Sequence, residues 1–138
     1  MRHLLIVAMV ILTALPIACG GTDEGDEPEE EIKATMRAFI AAVNDRDFSA
    51  AYEHLSSDCQ GALTPSEYES RWEILLPTGD LVVKDVQIER LEDDEALVFP
   101  DIVVVSAGQE TSVTWLRWGR RCVREDGRWR FAMAMCFP

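Results

Sequence analysis

This sequence predicts an α+β fold in which three N-terminal helices pack in a strongly curved, antiparallel four-stranded sheet. Two observations carry the prediction. From Ile32 to Trp72 the apolar residues recur at helical spacing, and after the turn Pro77-Thr78-Gly79-Asp80 they fall in β-branched runs separated by glycine-bearing or acidic turns. Helices in a row followed by strands in a row form an α+β layer, with the sheet wrapping the helices.

The first helix rests on Ile32, Met36, Phe39, Ile40 and Val43, the i, i+4, i+7, i+8, i+11 positions of one buried face. Asn44-Asp45-Arg46-Asp47 ends it and caps a second helix, whose apolar face is Phe48, Ala51, Tyr52 and Leu55. Thr64-Pro65-Ser66-Glu67 opens the third. It reads as a capping box with proline at the first helical position, followed by Tyr68 and Trp72.

Val82, Val86 and Ile88 alternate imperfectly with Lys84, Gln87 and Glu89, the pattern of a strand with a bulge. Glu92-Asp93-Asp94-Glu95 is a solvated turn, and Ala96 to Ser106 is a β-branched strand with Pro100 marking an edge or kink. Thr111 to Phe137 reads as two long strands joined at Glu125-Asp126-Gly127-Arg128. That turn sets a register with Arg124 facing Trp129, Cys122 facing Phe131 and Cys136 facing Arg117. One face of the hairpin then carries Leu116, Trp118, Trp129, Phe131, Met133, Met135 and Phe137, with Arg120 and Arg124 toward the turn. This is the side expected to face the helices.

Before Ile32 the chain is of another kind. Arg2 and His3 precede an apolar run from Leu4 to Ala18, too short for a bilayer span of about 20 residues and suited to a signal peptide. The run stops at Ala18-Cys19-Gly20, which resembles the lipobox of bacterial lipoproteins, although Pro16 stands where that pattern usually has leucine. The resemblance implies lipidation at Cys19, export, and a lipid anchor in the bacterial cell membrane or outer membrane. The domain would then face the periplasm or cell exterior. Residues 19–31 hold seven acids among glycines and Pro28, the composition of an extended tether. The expected organisation is a signal peptide at 1–18, a lipidated cysteine and tether at 19–31, and one domain at 32–138.

The whole sequence has a formal charge of −12, and from Ile32 onward 18 acids face 12 bases. Such a balance excludes a duplex nucleic-acid binder, which needs a basic footprint. No nucleophile elbow, phosphate loop or histidine-rich metal set occurs, so neither metal nor cofactor is expected. With Cys19 assigned to lipid, Cys59, Cys122 and Cys136 remain, which after export allows one disulfide and one free thiol. The register sets Cys122 and Cys136 on opposite faces, so Cys59 bonds one of them.

The amphipathic first helix, Asp47-Phe48-Ser49-Ala50-Ala51-Tyr52 closing at Leu55-Ser56, the Thr-Pro-Ser-Glu helix, and Glu125-Asp126-Gly127-Arg128-Trp129-Arg130 together resemble the nuclear transport factor 2-like (SnoaL-like) superfamily over residues 32–137. The resemblance implies a cone, a cystatin-like α+β roll with a pocket at its open end. It leaves function open among isomerases, dehydratases, hydrolases and non-enzymatic binding modules. It also implies that Cys59 pairs with Cys136, with Cys122 as the alternative partner.

In such a cone Tyr52, Trp72, Trp118 and Trp129 are expected as walls, with Arg120 and Arg124 at the mouth, an arrangement suited to a small anionic or apolar ligand. Asp101 and His54 are the candidate catalytic groups, neither with an evident acid–base partner. The leading expectation is a non-catalytic ligand-binding or protein-interaction domain, which could also pair with a second copy through the sheet. The competing one is a small-molecule isomerase, dehydratase or hydrolase.

Overall fold

The structure, a computed structural model, describes residues 26–76, 78–113, 119–132 and 136. The expected signal peptide, Cys19 and Trp118 lie outside these residues. Four helices come first: α1 (Asp26–Asn44), α2 (Phe48–Glu53), α3 (Ser57–Ala62) and α4 (Pro65–Leu75). Five strands follow among the described residues: β1 (Asp80–Leu91), β2 (Glu95–Ser106), β3 (Gln109–Ser112), β4 (Arg120–Glu125) and β5 (Arg128–Ala132). They form one antiparallel sheet in the order β1-β2-β4-β5, with β3 also paired to β2. The sheet curls as a half-barrel around the helices, the α+β class that the sequence predicts.

Three boundaries differ from the sequence reading. Helix α1 begins at Asp26, so residues 26–31 are helical rather than tether. Acidic side chains in the first turns complement the positive end of the helix dipole, and Pro28 falls where no backbone N–H donor is needed. Lys33 adds an ion pair to Glu30 at 3.0 Å. A fourth helix, α3, arises because Ser56 caps it by accepting from the Cys59 N–H. The described residues of the stretch read as one strand after Thr111 hold two separate strands, β3 and β4. β3 and β4 pair with opposite ends of β2, Val103–Ser106 against Gln109–Ser112 and Glu95–Val98 against Arg120–Val123.

Local chemistry explains most of the rest. Thr64 and Glu67 make the full capping box at the start of α4. At the β4–β5 turn Asp126 and Gly127 have φ of 51° and 74°, the left-handed pair of a two-residue hairpin, which Asp-Gly adopts readily. The resulting register pairs Arg124 with Trp129 and Cys122 with Phe131, as read from the sequence. β1 carries register shifts at Val83/Asp85 and Ile88/Arg90, bulges that add twist. Its edge is closed at Leu81 by the side-chain amide of Asn44, which donates to the Leu81 carbonyl (2.8 Å) and accepts from its N–H (2.9 Å).

The core lies between α1, α4 and the concave face of the sheet. Ile32, Met36, Phe39, Ile40 and Val43 are all buried, so the periodicity of α1 faces inward along its length. Phe39 is its centre, with ring centroids 5.2 Å from Phe131 and 6.0 Å from Trp72. On β2 the even-numbered residues Ala96, Val98, Pro100, Ile102 and Val104 point inward. Cys59 in α3 is joined to Cys136 by a disulfide, Cα atoms 5.2 Å apart, while Cys122 is a buried thiol.

Because Phe131 is fully buried at this centre, Phe131→Ala is expected to lower the unfolding free energy by about 3–5 kcal/mol. Ile74→Ala, at a position 82% exposed, is expected to stay within about 0.5 kcal/mol. Urea unfolding of both variants checks the contrast.

Candidate functional site

The hairpin β4–β5 is pinned to the helices by its polar face. Arg130 donates from Nη1 to the Glu53 carbonyl at 2.6 Å and lies 3.4 Å from that of Leu55, neutralising the carbonyl end of α2. Glu125 accepts from the Ser57 N–H and hydroxyl at 2.9–3.2 Å, at the N-terminus of α3. Beside these pins the backbone of Phe131 is taken on both sides: its N–H donates to the His54 carbonyl and its carbonyl accepts from Ser56 N–H, each at 2.8 Å.

The pinning leaves a cleft of about 610 Å³ between α1, α2, α3 and the β4–β5 turn. Glu31 and Thr35 line it from α1, Glu53 and His54 from α2, Gln60 from α3, and Arg128 and Trp129 from the hairpin. Several of these groups already have partners. Glu31 pairs with Arg124 at 3.6 Å, the Thr35 hydroxyl donates to the Glu31 carbonyl, and Gln60 Nε2 donates to the Tyr52 and Leu55 carbonyls.

Of the residues singled out by sequence, His54 and Trp129 meet at this cleft. The others do not. Asp101 was expected to reach into the cone, but strand alternation through Pro100 puts it on the outer face of β2, between two inward-facing neighbours. Trp72 is fully buried against Phe39 and Tyr68. Tyr52 packs edge-on to Tyr68, with its hydroxyl 2.6 Å from the Leu63 carbonyl and 2.9 Å from that of Gln60. Arg120 is buried on the concave side rather than standing at a mouth, and burial lowers its pKa. Arg124 is exposed and turned to Glu31. Sequence reasoning missed Glu53, Gln60 and Arg128, whose only signal was an ordinary solvated helix or turn residue.

His54 sits at the C-terminal end of α2, its ring 6.4 Å from that of Phe39. Burial lowers its pKa, the nearby Arg130 guanidinium lowers it further, and Glu53 opposes both. The imidazole is therefore neutral at pH 7, able to donate one hydrogen bond and accept another. Among the described residues no cluster of three or more metal-ligating side chains occurs. The groups at the cleft can hold a small molecule by hydrogen bonds and charge.

No protein-family model matches this sequence, and no curated protein does either. Solved structures do match in fold. A protein of unknown function from Mycobacterium tuberculosis aligns over 83% of this chain and 73% of its own at 16% identity, with a TM-score of 0.58. A nuclear transport factor 2-like protein of unknown function from Pseudomonas putida aligns over 77% and 82% at 19% identity, with a TM-score of 0.56. A member of the same family from Streptomyces avermitilis, described as a candidate dehydratase, aligns over 77% and 92% at 14% identity, with a TM-score of 0.52. At these identities the likeness shows the fold, which is that of nuclear transport factor 2-like and cystatin-like proteins.

Two measurements check the chemistry around the cleft. The folded state holds His54 below its unfolded pKa of about 6.5, so on acidification the unfolded chain takes up the proton first. Stability should therefore fall as pH drops through about 6.5 and stop falling on this account below the depressed folded pKa. His54→Gln should remove that component from thermal unfolding profiles. Burial also pushes the Cys122 thiol up to about 12. The native protein should resist iodoacetamide at pH 8, and the denatured, unreduced protein should label at Cys122 but at neither Cys59 nor Cys136.

Proposed function

We propose that this chain is a bacterial envelope lipoprotein, anchored through a lipid on Cys19, whose nuclear transport factor 2-like domain binds a small ligand or partner without transforming it. The observation that carries the reading is the filled interior. Among the described residues, Trp72, Tyr68, Phe39 and Phe131 are each less than 2% exposed, and their rings pack in a chain between the helices and the sheet. A space packed with aromatic side chains admits no second molecule without repacking. Recognition then falls to the external cleft, whose size suits a small ligand.

A catalytic reading has one observation in its favour. His54 is a neutral imidazole at the cleft, and Glu53 beside it raises its basicity. A dehydratase-type or isomerase-type proton transfer would use it as base. Incubation with the cleft's ligand followed by mass spectrometry separates the two: recovery of unchanged ligand agrees with binding alone, and a new product contradicts it.

The anchoring half is tested apart from the domain. Cys19→Ala, or globomycin treatment of the wild type, is expected to leave unprocessed precursor in a bacterial host. Normal maturation of the variant would contradict lipidation at Cys19.

A further inference from the structure

We propose that the cleft between α1, α2, α3 and the β4–β5 turn binds a small zwitterion, a molecule with a carboxylate and an ammonium a few bonds apart, of the amino-acid or short-peptide class. The inference rests on the binding-module reading and names the chemistry of its site. It follows from which groups at the cleft are already satisfied. Arg130 is held by the Glu53 carbonyl and by Glu125 at 3.8 Å, and Glu31 is held by Arg124. Two charged side chains of the lining remain, Arg128 on the hairpin and Glu53 on α2. Neither makes a hydrogen bond or ion pair among the described residues.

On the hairpin side, Trp129 borders the cleft as an aromatic wall. Across the cleft, Gln60 spends its amide N–H groups on the Tyr52 and Leu55 carbonyls, which leaves Oε1 as an acceptor. Donors with positive charge thus stand on the hairpin, and acceptors with negative charge stand on α2 and α3. A ligand bearing only a carboxylate would meet Glu53 with the wrong sign, and one bearing only an ammonium would meet Arg128. A zwitterion answers both sides, its carboxylate toward Arg128, its ammonium toward Glu53 and Gln60. His54, held neutral, adds no charge that would upset the balance. The volume of about 610 Å³ accommodates an amino acid with a sizeable side chain or a dipeptide.

Three probes with one ring test the charge requirement: phenylalanine, 3-phenylpropionate and phenethylamine, titrated calorimetrically into the full chain in detergent micelles at pH 7.5 and low salt. Phenylalanine is expected to bind at least about tenfold more tightly than either single-charge analogue. Arg128→Ala should weaken phenylalanine about tenfold and strengthen phenethylamine, while Glu53→Gln should weaken phenylalanine comparably and strengthen 3-phenylpropionate. Circular dichroism of both variants is the control, with a spectrum unchanged from the wild type expected at these exposed positions. Equal affinity for the three probes, preference for a single-charge probe, or no binding of phenylalanine at millimolar concentration overturns the zwitterion site. Preference for a single-charge probe does so while leaving the binding module standing. Conversion of bound phenylalanine to a new product overturns the non-catalytic reading and leaves the zwitterion site in place.

Discussion

The backbone of Phe131 is the point on which the domain turns. β5 would otherwise be an open edge, with one row of N–H and C=O groups unpaired. The segment from His54 to Ser56 lies along it instead, donating and accepting one hydrogen bond of 2.8 Å each and forming a single parallel bridge between Leu55 and Phe131. The ring of the same residue fills the centre of the core against Phe39. Helices α2 and α3 have six residues each, far too short to persist alone in water. They exist because this strand gives their junction something to bond to, and the disulfide from Cys59 to Cys136 ties α3 to the chain beyond β5.

The same junction also shapes the external cleft. Holding α2 and α3 against the hairpin completes the apolar core on one side and opens a polar cleft on the other. The pins that do this are charged groups meeting helix termini, Arg130 at the end of α2 and Glu125 at the start of α3. Once those residues are committed, Arg128 and Glu53 are what the cleft has left to offer.

The sequence revealed the parts of this structure whose cause is local. Asp126-Gly127 dictates a two-residue turn, and from that turn the register, the inward placement of Phe131 and the outward placement of Arg121 and Arg130 all follow. The inner face of α1 was equally legible, because five apolar residues repeat along it. The start of α1 and the whole of α3 were not. Residues 26–31 contain no apolar residue until Ile32, and α3 buries only Cys59, so neither produces a period. Asp101 misled for a related reason: Pro100 suggested a kink, yet alternation runs through it undisturbed and turns the carboxylate outward. The cleft was the least legible feature of all, since Glu53, Gln60 and Arg128 come from three elements and each alone looks like a solvated surface residue.

Amide hydrogen exchange at Phe131 and Ser56 tests the central claim most directly. If the junction organises the domain, both amides should exchange only through global unfolding, with protection equal to that of the buried turns of α1 around Phe39. Rapid exchange at Phe131 and Ser56 while α1 stays protected would show that α2, α3 and the cleft detach without consequence for the rest, and would contradict the account.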